Sequence, residues 1–196
     1  MKTSLVDILT PDRRIIAALV ACFAFAAPPV LRAAAAPQVG DAAPNFTLRT
    51  LDDKPVELRA LVAKRPVVLV VLRGWPGYQC PICSRQVNEY VTKAAEFAAK
   101  NVQVLMVYPG PADQLKAHAR EFLANKDWPA DFLYVIDPEY AFTNAYGLRW
   151  DAPKETAYPS TFIIDREGQV KFAHVSKTHG NRVDSAAAIA AIESLK

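Results

Sequence analysis

The 196-residue chain predicts an α/β fold: a mixed central sheet flanked by helices on both faces, with an N-terminal β-hairpin extension. Three observations carry that expectation. "PVVLVVL" at 66–72 and "VQVLMVYP" at 102–109 are continuous, β-branched apolar runs, the pattern of strands buried on both faces. Segments with apolar residues at helical spacing alternate with these runs, which implies parallel strand pairs joined through helices. "STFIID", "REG" and "QVKFAHVS" then read as strand, tight turn and strand, an antiparallel closing hairpin that makes the sheet mixed.

Taken in order, "FTLRT" (46–50) and "PVELRAL" (55–61) flank the turn "LDDKP" and predict the opening hairpin. After the 66–72 strand, "SRQVNEYVTKAAEFAAK" places Val87, Tyr90, Val91, Ala94, Ala95 and Phe97 on one helical face. "PADQLKAHAREFLANK" (111–126) predicts a second helix with Pro111 near its start. "DFLYVID" is a third strand, and "PEYAFTNAYGL" a short helix ended by Gly147. "VDSAAAIAAIESLK" is a C-terminal helix with Asp184 or Ser185 as its cap.

The N-terminus reads as an export signal over residues 1–35, followed by one domain over 36–196. Arg13 and Arg14 form a positive start, "IIAALVACFAFAAPPVL" an apolar stretch, and "RAAAAPQ" a small-residue cleavage region with the cut near Ala35. A retained N-terminal anchor is the plain alternative. "LVAC", ending at Cys22, resembles a lipobox, but the apolar "FAFAAPPVL" after it argues against lipidation. Membrane contact is therefore expected only through this segment, and the expected destination is the periplasm or another extracytoplasmic space. The net charge is +3, of which +2 sits in residues 1–35 (four basic, two acidic), leaving about +1 for the domain. That balance excludes a basic field for nucleic acid. There is no P-loop and no G-x-G-x-x-G, so no nucleotide or flavin is expected, and no cofactor.

Without the signal, the chain keeps two cysteines, Cys80 and Cys83, spaced C-x-x-C where a buried strand gives way to a helix. Backbone N–H groups of a first helical turn lack intrahelical partners, and the helix dipole is positive there. A thiolate at that place is stabilised, and its pKa falls from about 8.5 toward roughly 3.5 to 7.5. The spacing fits one helical turn, so one thiol can attack and the other resolve. Pro81 fixes the backbone at a position that needs no N–H. Arg73 and Arg85 flank the pair and add positive potential if they point inward. Three plainer readings compete. A structural disulfide would close too short a loop to stabilise much. Half a zinc site lacks a second Cys/His pair at useful spacing; His118, His174 and His179 are scattered and read as solvated or packing residues. Or the thiols are idle core residues. Pro76, Gly77, Tyr78 and Gln79 are candidates for shaping the pocket, with a plain loop role open; Trp128 and Trp150 read as packing residues.

"AYPSTFIID" puts Pro159 just before a strand. Together with the C-x-x-C, this resembles the thioredoxin fold, in which such a proline is cis and lies beside the active cysteines; Tyr158–Pro159 is then the expected cis bond, a trans proline at a strand entry being the alternative. "VGDAAPNFTLRTLDDKPVELRAL", with its A-P-x-F-x-L opening from Ala43 to Leu48, "PVVLVVLRG…CPIC" and "YPSTFIIDREGQVKF" resemble the alkyl hydroperoxide reductase/thiol-specific antioxidant (peroxiredoxin-like) branch of the thioredoxin superfamily over about residues 37–196. The resemblance implies a peroxidase that reduces peroxides through Cys80 and Cys83 with a thioredoxin-type or other thiol reductant, and the N-terminal signal makes it an exported one. An exported thiol–disulfide oxidoreductase acting on protein cysteines is the alternative, and a non-catalytic module that kept the scaffold is a third reading. On the peroxiredoxin P-x-x-x-T-x-x-C motif, Pro76 matches the proline and Cys83 the peroxidatic cysteine, with Cys80 where the threonine would be. On the thioredoxin pattern, Cys80 is the nucleophile and Cys83 resolves. The peroxiredoxin arginine before the "TFIID" strand is replaced by Pro159, and Arg182 in "THGNR" is the substitute to look for.

Overall fold

The protein is described by a computed structural model over residues 35–194. The expected export signal, with Cys22, lies outside the described residues. One seven-stranded sheet contains β1 (Thr47–Thr50), β2 (Pro55–Glu57), β3 (Val67–Val71), β4 (Gln103–Gly110), β5 (Leu133–Pro138), β6 (Ser160–Ile164) and β7 (Val170–Val175), in the spatial order β2-β1-β5-β4-β3-β6-β7. The central β3, β4 and β5 are parallel, and the flanking pairs are antiparallel. The helices are α1 (Leu58–Val62), α2 (Pro81–Thr92), α3 (Ala94–Ala99), α4 (Leu115–Leu123), α5 (Ala141–Ala145) and α6 (Ser185–Glu193).

Strand alternation explains why helices cover both faces. Every residue of β3 is fully buried. Val68 and Val70, with Leu72 just beyond the strand, project to one side, against Val87 and Tyr90 of α2, Phe97 of α3 and Phe122 of α4. Val67, Leu69 and Val71 project to the other side, against Leu58 and Val62 of α1 and Phe142 of α5. A strand read from both sides by apolar layers has no polar face, which is why "PVVLVVL" shows no period of two.

Three boundaries differ from the sequence expectation. The hairpin's second strand stops at Glu57, and "LRALV" turns helical, because Leu58 and Val62 meet the same apolar layer at a four-residue spacing. The long helix after the cysteines breaks at Lys93 into α2 and α3. The next helix begins at Leu115, not beside Pro111: Gln114 adopts φ +54°, and the Ala112 N–H is drawn to the Glu139 carboxylate at 2.6 Å.

What positions the site is the exit from β3. The Leu72 N–H donates to the Val107 carbonyl at 3.0 Å and the Trp75 N–H to the Pro109 carbonyl at 2.9 Å, so the chain stays pinned to β4 beyond the strand. Gly74 sits between these bonds at φ +72°, and a Cβ there would overlap the Pro109 carbonyl oxygen. Both the backbone angle and the close approach require glycine. Gly74→Ala is therefore expected to lower stability by about 2–4 kcal/mol, from left-handed strain plus a backbone clash that cannot relax. Chemical denaturation measures it; an unchanged midpoint would contradict the close approach.

Candidate active site

The loop from Arg73 ends on Cys80, which is the N-cap of α2 with extended backbone (φ −76°, ψ 114°), and Pro81 occupies the first helical position. The Cys83 N–H donates to the Cys80 sulfur at 3.4 Å, an N-cap bond with sulfur in the role usually taken by a hydroxyl or carboxylate oxygen. Cys80 is 3% exposed and Cys83 is fully buried; both are free thiols.

Arg182, from the loop between β7 and α6, reaches across to this pair. Its Nη1 donates to the Cys83 sulfur at 3.2 Å and to Gln86 Oε1 at 3.1 Å, and its Nη2 lies 3.9 Å from the Cys80 sulfur. The two thiols are driven apart in acidity. The Cys83 side-chain hydrogen bond, then the Cys83 N–H and the charge of Arg182, outweigh burial and lower Cys80 to about 5. Burial, and then the hydrogen bond given to Cys80, push Cys83 well above the ordinary thiol range. The result is a reactive thiolate at Cys80 beside a neutral, proton-bearing thiol at Cys83.

A second guanidinium stands nearby. Arg73, 2% exposed, donates through Nε to Glu155 at 2.6 Å, through Nη1 to the Tyr78 hydroxyl at 2.6 Å and through Nη2 to the Lys154 carbonyl at 2.6 Å, and it contributes to holding Cys80 ionised. The other Glu155 oxygen meets His179 Nε2 at 2.8 Å. Burial pushes the Glu155 carboxyl up, but the hydrogen bonds from Arg73 and His179 outweigh it and leave it below its ordinary value.

Of the residues singled out in the sequence, Cys80, Cys83 and Pro81 sit together at the head of α2. Tyr78 is exposed and held by Arg73. Gln79 lines a cavity with Cys80 and Pro81 and faces α4 there, accepting from Tyr108 and donating to the His118 carbonyl and Glu121. Pro76 and Gly77 form the solvent-facing bend between Trp75 and Tyr78, with Gly77 at φ +104°. Tyr158 stacks on Trp150 with ring centroids 4.8 Å apart, and the buried Pro159 leads into β6, whose Ser160 pairs with Val71 at the end of β3. Arg85 does not point inward: it comes two residues after Cys83, about 200° around the helix, and is exposed. Glu155 and His179 were not read as site residues; each lies far in sequence from the cysteines, and no local pattern marks either. Among the described residues no cluster of three or more His, Cys, Asp or Glu side chains is placed to hold a metal ion, and no helix is long and apolar enough to cross a membrane.

A sequence model of the Redoxin family matches residues 38–190, spanning both cysteines, Glu155 and Arg182. The chain belongs to the Redoxin family. The peroxiredoxin homologue bcp of Helicobacter pylori strain J99 is 30% identical over 152 residues, covering 74% of this chain and 95% of bcp. The methylamine utilization protein MauD of Methylophilus methylotrophus is 29% identical over 136 residues, or 68% of this chain; the chain spans about half of MauD, 54%. In fold, the crystal structure of reduced Prx3 from Vibrio vulnificus in complex with hydrogen peroxide superposes with a TM-score of 0.66 at 24% identity, over 79% of this chain and 98% of Prx3. The redoxin is thus peroxiredoxin-like in family and thioredoxin-like in fold, a thiol-dependent oxidoreductase.

Proposed function

We propose that this redoxin reduces peroxides, with Cys80 as the attacking thiolate and Cys83 as the resolving thiol. The observation that carries the reading is a single one: an acidic sulfur, 3% exposed, under the guanidinium of Arg182. A sulfur so enclosed favours a small oxidant over a folded protein's disulfide. The adjacent cation suits a reaction that expels an oxyanion.

The Cys80 thiolate attacks one peroxide oxygen, and the O–O bond breaks. Cys80 becomes a sulfenic acid, and the second oxygen leaves as hydroxide or alkoxide, taking a proton from solvent. Cys83 then attacks the Cys80 sulfur. The S–O bond breaks, water leaves with the Cys83 proton, and a Cys80–Cys83 disulfide remains. An external thiol reductant small or slender enough to reach the enclosed pair returns two electrons and two protons by exchange through a mixed disulfide.

Residues 1–35 direct export in this reading, so the couple works in an oxidising compartment. N-terminal sequencing of protein from the cell envelope, expected to begin near Ala36, tests that part.

A second reading has its own support. An N-capping thiolate with a buried neutral partner, and Pro159 at the head of β6, equally suit thiol–disulfide exchange on protein cysteines. Stopped-flow reaction of the reduced protein with hydrogen peroxide and with an uncharged model disulfide separates the two. Peroxide is expected to react at least about 100-fold faster than it does with a free thiol of matched ionisation. A rate equal to the free thiol's, with fast disulfide exchange, transfers the assignment to the second reading.

The pH dependence follows from Cys80. Its ionisation is depressed to about 5, so the peroxide rate is flat above about pH 6 and falls about tenfold per unit below pH 5. An ordinary thiol would still be gaining rate at pH 8. A profile that keeps rising through pH 8 contradicts the assigned thiolate.

A further inference from the structure

Arg182 owes its place to more than its own loop. Ser176 Oγ donates to carbonyls within that loop, and His174 contacts the Asn181 carbonyl at 2.6 Å, but both tie the loop only to its parent strand β7. At its end the loop is tied to α2, where the Val183 carbonyl accepts from Gln86 Nε2 at 3.1 Å and from the Tyr90 hydroxyl at 3.3 Å. The link to the Arg73 and Glu155 side of the site is His179. Its ring meets Glu155 at 2.8 Å and packs against Trp150 with centroids 5.1 Å apart. Its backbone carbonyl accepts the Arg182 Nε–H at 2.8 Å. Glu155 itself is fixed. Arg149 Nη1 donates to the carbonyls of Trp150, Glu155 and Thr156, and the Trp150 N–H donates to the Thr156 carbonyl. Arg73, buried beside Glu155, holds the carboxylate's other oxygen.

We infer that His179 is a positioning residue: its bond to Glu155 holds its own carbonyl where it aims the Arg182 guanidinium at the two sulfurs. The His179–Glu155 pair is the junction at which two arms, the Arg73 loop and the Arg182 loop, are locked on either side of Cys80. The His179 side chain is 43% exposed, so a pair made there contributes little to global stability. Its effect falls on direction: an Arg fork keeps its donors on two acceptors only while its plane is held. Gln86 gives Arg182 a second anchor, so loss of His179 loosens the guanidinium without freeing it.

The readout is the pH profile of Cys80 alkylation by iodoacetamide in the full reduced chain, located by mass spectrometry. It depends on Cys80 being ionised and not on which oxidant the protein uses, so failure here and failure of the peroxidase reading are distinguishable. His179→Ala is expected to raise the pH at which Cys80 ionises by about one unit, with the thermal midpoint little changed. His179→Gln, whose amide N–H still reaches Glu155, is expected to recover most of that shift, which separates the bond to Glu155 from loss of the imidazole itself. In an Arg182→Met background, His179→Ala should add almost nothing. Gln behaving like Ala, or a shift of the same size without Arg182, overturns the proposal, as does an unchanged Cys80 profile in His179→Ala.

Discussion

Cys80→Ser is expected to abolish peroxide reduction, while Cys83→Ser is expected to react once and stop. The two sulfurs lie within one helical turn, yet their surroundings make them unlike. Cys80 accepts the N–H of Cys83 as the cap of α2 and is lowered to about 5; Cys83 is fully buried and pushed up. At pH 7 nearly all of Cys80 is thiolate and almost none of Cys83 is. Serine at 80 leaves only the protonated, enclosed thiol, so turnover should fall by at least about 10³-fold. Serine at 83 leaves the nucleophile but removes the partner that closes the disulfide. One equivalent of peroxide is consumed, and a dimedone-reactive sulfenic acid accumulates on Cys80. The serine hydroxyl can still donate to Cys80, so the first step should slow by only about tenfold or less. If the adduct appears instead on Cys83 in Cys80→Ser, with a full first-turnover rate, the roles are reversed. The chain would then follow the peroxiredoxin P-x-x-x-T-x-x-C assignment, with Cys80 in the threonine's place.

The sequence reached the strand–helix order, the two-faced burial of 66–72 and the head of α2 because each is written in local pattern. Continuous β-branched runs, apolar residues at helical spacing, and Cys80–Pro81 at a helix start are all readable within a dozen residues. Boundaries set by tertiary packing were not readable. "LRAL" continues an extended pattern but curls because Leu58 and Val62 share one apolar layer, and Pro111 looks like a helix start although the helix waits until Leu115. The electrostatics of the site were the least legible part. Arg182 stands 99 residues from Cys83, and Glu155 82 residues from Arg73. These contacts exist because β6 and β7 carry the Arg182 loop back beside β3, a consequence of sheet order that no spacing encodes. Arg73 and Arg85 looked equivalent in the sequence. Helical geometry turns Arg85 outward, while the Pro109 anchor at Gly74 and Trp75 keeps the Arg73 loop against β4.

Arg182→Met should separate the two substrate classes. Two effects of the arginine are superimposed at neutral pH: it helps keep Cys80 ionised, and it supplies a cation beside the forming anion. The first can be removed from the comparison. Arg182 is one contributor among several to the acidity of Cys80, behind the Cys83 side chain and N–H, so the variant's Cys80 should still be essentially ionised at pH 8. What remains at that pH is the leaving group. Hydroxide or alkoxide is the conjugate base of a far weaker acid than a thiol, whereas a thiolate leaving from a disulfide corresponds to a pKa of about 8.5. The poorer leaving group gains more from a fixed donor, because more charge sits on it in the transition state. At pH 8 the second-order rate with hydrogen peroxide is therefore expected to drop by about 10²-fold, and the rate with an uncharged disulfide by about threefold or less. Arg182→Lys should restore only part of the peroxide rate. A single ammonium cannot donate to the Cys83 sulfur and Gln86 from one Nη while turning a second toward Cys80, as the fork does. Equal losses on both substrates would mean that Arg182 acts only through thiol ionisation or local packing. The case for peroxide would then rest on the enclosure of Cys80 alone.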